Sequence, residues 1–164
     1  MADQRTPSDV LERFLRYVQV DTPSSDAHAD QTPSTPEQFD LARLLADELR
    51  ALGAEDVAVS EHAYVTAHVP ASPGAEHLPA LGLIAHIDTT EAAPGRGVKP
   101  HVVRYMGGDL VCGEHAGDPV AIGPDKLPAL DGLVGGDLVC SDGTALLGAG
   151  DKAGVGGIMA LVPG

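Results

Sequence analysis

Tryptophan is absent from the 164 residues, and aromatic side chains make up only 3% of them, so a core has to be built from Leu, Val, Ile and Ala. Basic residues are scarce. Ten Lys and Arg face 24 Asp and Glu, a formal charge of -14 that would repel a phosphate backbone and excludes nucleic acid as a partner. Cysteine occurs twice, at Cys112 and Cys140, without Cys-x-x-Cys spacing or a secretory context. Neither a thiolate zinc site nor a disulfide framework is indicated, and a reduced compartment fits best. The first residues form no apolar leader, and no run of about 18 apolar residues follows. The expectation is a soluble cytoplasmic protein that does not enter a membrane.

What is present is 43% hydrophobic residues in a chain of single-domain length, enough to bury roughly 70% of the unfolded surface. Thr6-Pro7-Ser8-Asp9 reads as a helix start, with Thr6 as N-cap, Pro7 at the first helical position and Asp9 as the capping-box acid. Val10, Leu11, Phe14, Leu15 and Val18 continue it at helical spacing toward Asp21-Thr22-Pro23. Residues 24–33 are polar and aperiodic, a surface loop in which His28 is a solvated side chain. Thr35-Pro36-Glu37-Gln38 repeats the start signal, Leu41, Leu44, Leu45, Leu49 and Leu52 form a stripe, and Gly53 is the stop.

Val57–Val59 and Tyr64–Val69 then read as strands, with His68 an ordinary strand residue. Residues 91–137 carry much Gly and Pro and little helical period, so functional surface or hairpins are expected, with short strands at Val102-Val103 and Leu110–Cys112. Leu138–Cys140 is a last strand, Ser141–Thr144 a turn, and a final helix starts in the glycine-rich segment and runs to Leu161. Two helices followed by three strands predict an α/β sandwich.

Between those strands lies Ala80-Leu81-Gly82-Leu83-Ile84-Ala85, an uncharged run short enough for a strand covered on both faces. His86 and Asp88 follow at its carboxyl end, where open α/β sheets keep their reacting groups. His-x-Asp suits metal binding, because a carboxylate can hold one imidazole N–H while the other nitrogen takes zinc. The same residues also suit a simple Asp-Thr turn at a strand end.

Gly148-Ala149-Gly150-Asp151-Lys152-Ala153 matches G-x-G-x-x-G/A and permits a nucleotide-binding turn. It falls late in the chain, and the ribose-binding acid would lie beyond Gly164. A Walker A loop fails for want of the G-K-[ST] ending.

Taken together, Gly82–Thr89, Gly97–Pro100, Tyr105–Asp109 and Thr144–Gly154 resemble the peptidase T family of two-zinc tripeptide aminopeptidases, and Arg13–Val18 and Pro33–Thr35 extend the likeness over nearly the whole chain. The resemblance implies that His86 is a zinc ligand and that Asp88 orients it as part of the catalytic apparatus. It implies two zincs per complete site, a small peptide as substrate and a homodimer for the complete protein. It also implies a zinc-exopeptidase catalytic domain, α/β with a mixed sheet flanked by helices, of which residues 1–164 are the N-terminal, incomplete part, with the lid or dimerisation domain and the C-terminal catalytic part absent.

Three departures bear on activity. Gly150 stands where the family pattern implies the aspartate that bridges the metals, and glycine has no side chain to coordinate one. Asp151 matches the family's second aspartate, and a one-residue shift turns a side chain away in extended backbone. Gly157 replaces a polar helical residue; with Gly156 it puts two adjacent glycines early in a helix, at about 1 kcal/mol each. The family's Glu-Glu pair and its later Asp and His ligands fall past residue 164. The expectation is a truncated aminopeptidase chain that is inactive alone and marginally stable. The alternatives are a non-catalytic remnant with a binding role and a nucleotide-binding α/β domain.

Overall fold

The computed structural model describes residues 7–162. Helix α1 spans Pro7–Tyr17 and buries Phe14 and Tyr17, with Val18 just beyond it. The Thr6 cap lies outside the described residues. α1 stops short of Asp21: Val18 still donates to Phe14 O at 3.0 Å, but Gln19 and Val20 turn back to Arg16 and Tyr17. That release lets residues 21–24 run extended beside Ile87–Thr89.

Helix α2 spans Gln38–Ala51 and buries Leu41, Leu45 and Leu49 with Ala42 and Ala46, one face at helical spacing. The expected capping box does not form. Glu37 occupies the N-cap without a side-chain bond, because the Thr35 hydroxyl donates to Pro23 O and Gln38 Nε2 reaches the same carbonyl at 3.3 Å. The start signal is spent on a tertiary tie. At the other end Gly53 N–H bonds Arg50 O and Ala54 N–H bonds Leu49 O, the paired bonds of a Schellman stop. Glu48 joins the two helices by accepting from Arg13, from Arg16 at 2.8 Å and from the Tyr17 hydroxyl at 2.7 Å.

Strands β1 (Glu55–Val59) and β2 (Val65–His68) form an antiparallel pair that lies against α2. β3 (His101–Arg104) pairs antiparallel with β6 (Asp137–Cys140), and β4 (Leu110–His115) with β5 (Asp118–Ile122). β5 escapes a sequence reading because Pro119 argues against a strand, yet a two-stranded hairpin tolerates proline at an edge. Helix α3 spans Ala149–Leu161 and packs on α1.

Helices and antiparallel strands mix, in keeping with an α/β class, but the described strands form three separate two-stranded sheets rather than one mixed sheet. The run from Ala80 to Ala85 corrects the expectation of a buried central strand. It belongs to no ladder, and Leu81, Leu83 and Ile84 are 84%, 49% and 96% exposed. A strand needs a neighbour on its hydrogen-bonding edge, and among the described residues none lies there.

Three apolar clusters hold the molecule. The first gathers Tyr17, the α2 leucines, and Val155 and Met159 of α3, with Val57, Val65, Ala85 and Ile87 against it. The second, around Tyr105, Leu110, Leu130 and Cys140, unites the β3–β6 and β4–β5 pairs. Phe14, Val18 and Val98 form the third.

Candidate functional site

The end of the Ala80–Ala85 run is held by segment 22–24. Thr89 N–H donates to Thr22 O at 2.8 Å, Ser24 N–H to Thr89 O at 2.7 Å, and the fully buried Thr22 hydroxyl to Ile87 O at 2.7 Å. The result is one parallel bridge between Pro23 and Thr89. Short as it is, this clamp fixes His86 and Asp88 on either side of Ile87.

His86 and Asp88 meet. Asp88 Oδ1 lies 2.9 Å from His86 Nδ1, and Asp88 O lies 3.0 Å from the same nitrogen. Two acceptors on Nδ1 select the tautomer with the proton there and the lone pair on Nε2, the state a metal-binding imidazole needs. Both side chains are reachable from solvent, at 56% and 38% exposure.

A cavity of about 300 Å³ adjoins the pair, lined by His86, Asp88, Thr89, Leu146, Gly148 and Gly150 among others. The start of α3 contributes Gly148, Ala149 and Gly150 to its lining. Gly148, the N-cap, has a φ of +62°, and a Cβ there would sit 2.8 Å from Thr89 Cγ2, so both backbone and spacing require glycine. Gly150 differs: a Cβ on it would meet nothing within 4 Å. A side chain at 150 therefore has room.

Lys152 shows how α3 is anchored. Its side chain is buried, and Nζ donates to Val20 O at 2.7 Å, tying the helix to the segment that leads into Thr22. Burial pulls its pKa down to about 8, against the opposing influence of Asp21. In the turn between β6 and α3, Asp142 accepts from Lys99 at 2.8 Å and from the Thr144 hydroxyl and N–H. Those bonds hold its carboxyl well below the usual carboxylate range and fix the turn.

The structure thus brings together His86, Asp88 and Gly150, and leaves His28 and His68 exposed elsewhere, as a reading of loops and strands expects. The side chain of Asp151 lies outside what is described. These residues do not make a complete zinc site. A catalytic zinc takes about three protein ligands, and no group of three or more His, Cys, Asp or Glu is gathered among the described residues. Sequence reasoning missed Thr22 and Lys152; a lysine inside a glycine-rich helix start is the only local signal of the latter. None of the described helices is long and apolar enough to cross a membrane.

No family model matches the chain. Among curated proteins it is 43% identical over 152 residues to peptidase T of Geobacillus thermodenitrificans (strain NG80-2), covering 92% of this chain and 36% of that protein. Peptidase T of Bacillus subtilis (strain 168) is 41% identical with the same coverage, and that of Aliivibrio fischeri (strain ATCC 700601 / ES114) is 41% identical over 94% of this chain and 37% of its own length. The chain spans little more than a third of the length of these relatives. Over nearly its whole length, then, it is similar to proteins named peptidase T, of which it matches a stretch consistent with an N-terminal part.

Proposed function

We propose that this chain is the N-terminal part of the catalytic domain of a peptidase T-type metallo-aminopeptidase, one that removes the N-terminal residue of tripeptides. The observation that carries the reading is the His86 Nδ1 to Asp88 Oδ1 contact of 2.9 Å on a cavity that Gly150 also lines. In this reading His86 Nε2 is one zinc ligand, and Asp88 positions the ring by holding the proton on Nδ1. Zinc, where a full ligand set binds it, supplies Lewis-acid activation of the peptide carbonyl and of water. The chain described here contributes one corner of that set, so residues 1–164 alone do not hydrolyse tripeptides. In the same reading the remaining ligands and a small dimerising lid domain are supplied by sequence outside the stretch that matches the relatives.

Gly150 is the decisive position, because the open space above it accommodates the carboxylate that the family pattern expects. Zinc titration calorimetry tests this directly. The Gly150→Asp chain is expected to bind zinc at least tenfold more tightly than the original, and His86→Ala in that background to lose the gain. Equal affinity in all three chains would remove His86 and position 150 from the site. Gly150 also favours a second reading, a non-catalytic relative that binds peptide without cleaving it. Saturable tripeptide binding by a folded chain indifferent to zinc would select that one.

A further inference from the structure

Cys112 and Cys140 are 28 positions apart in sequence, on strands of different sheets, yet their sulfurs lie 2.6 Å apart. The local backbone explains the meeting. β4 slips register between Val111, opposite Ala121, and Gly113, opposite Val120, so Cys112 is the bulged residue without a partner across the ladder. A bulge bends the strand and re-aims a side chain, and here it aims Cys112 at the last residue of β6. The neighbouring Gly113 makes the approach possible: a Cβ there would sit 2.9 Å from the Asp142 backbone. Both sulfurs belong to the second apolar cluster, Cys140 buried and Cys112 half-buried.

We propose that Cys112 and Cys140 form a reversible intramolecular disulfide when the chain meets a disulfide oxidant such as glutathione disulfide, stapling the β4–β5 hairpin to the β3–β6 pair. Cys112, the more accessible thiol, attacks the oxidant as thiolate and forms a mixed disulfide while one glutathione leaves as thiolate. Cys140 then loses its proton to solvent and attacks the Cys112 sulfur, expelling the second glutathione. Two protein thiols give up two electrons and two protons, and one glutathione disulfide becomes two glutathiones. Burial pushes the Cys140 thiol up to about 12, which makes it the slower, resolving partner and keeps it inert until Cys112 has reacted.

The staple has a structural consequence near the site cavity. The two strand pairs share packing but no backbone hydrogen-bonded ladder, and Cys140 opens the run of residues that leads through the Asp142 turn to Gly148 and Gly150. Closing the bond removes freedom from the unfolded chain and ties that run to the hairpin.

Tryptic mapping of the 164-residue chain tests the proposal, since Arg104, Lys126 and Lys152 place the two cysteines on separate peptides, 105–126 and 127–152. After incubation with excess glutathione disulfide, the expected result is a monomer whose two peptides run as one linked species, lighter by two hydrogens and separated by dithiothreitol. The oxidised monomer is expected to melt above the reduced one, and Cys112→Ser to yield neither linked peptide nor shift. Counting unalkylated thiols in the unmutated chain gives a readout independent of any variant's folding. A stable glutathione adduct on Cys112, cysteine-linked dimers, two thiols still open to alkylation, or a linked form that melts no higher than the reduced one would each overturn the proposal.

Discussion

Lys152 carries a cost that only its surroundings reveal. Its amine is buried beside the Val20 carbonyl and titrates near 8 instead of 10.5, so the folded state holds the proton less tightly than the unfolded one. Below pH 8 both states are protonated and the full cost, up to about 3 kcal/mol, is present. Between pH 8 and 10.5 the unfolded chain binds more protons, so this residue makes stability rise with pH. Urea unfolding at several pH values across that window should show the rise, and Lys152→Met should flatten it. Parallel curves for the two chains would mean that Lys152 keeps its proton at no cost.

At the scale of elements, α3 carries glycines with opposite roles. Gly157 lies inside the helix where a Cβ meets nothing within 4 Å, so Gly157→Ala is expected to stabilise by about 0.5–1 kcal/mol. Gly148 ends the preceding loop with φ at +62° against Thr89, so Gly148→Ala is expected to destabilise by about 1–3 kcal/mol. Denaturant midpoints of the two variants should move in opposite directions, and a shift in the same direction would contradict this account of the helix start. The α2 boundaries show what local signals can and cannot settle. Gly53 stops the helix as read, because a Schellman motif is a local affair. The Thr35 signal misleads because its hydroxyl prefers a carbonyl twelve residues back, at Pro23.

The whole molecule combines a charge of -14 with an exposed apolar run at Leu81, Leu83 and Ile84. Contiguous exposed apolar surface next to unpaired backbone favours association, whereas net charge opposes it until salt screens it. The isolated 164-residue chain should bind a hydrophobic dye such as ANS and self-associate as salt rises. Ile84→Lys, at a position 96% exposed, should reduce the association while changing stability by less than about 0.5 kcal/mol. A large loss of stability in that variant would show Ile84 to be buried in solution.

Much of the fold is written locally. The helical spacing of Phe14, Val18, Leu41, Leu45 and Leu49, and the branched residues of most strands, follow from periodicity, which needs no knowledge of distant neighbours. The His-x-Asp pair is likewise legible, because two residues apart on an extended chain is close enough to meet. What only tertiary structure decided are relations between residues far apart in sequence. It left Ala80–Ala85 outside any ladder, joined Thr22 to Ile87, buried Lys152 against Val20, set Gly150 and His86 in the lining of one cavity, and brought Cys112 to Cys140. Apolar pattern says that a segment needs burial, but the neighbour that buries it is chosen by packing, and packing is a property of the folded chain.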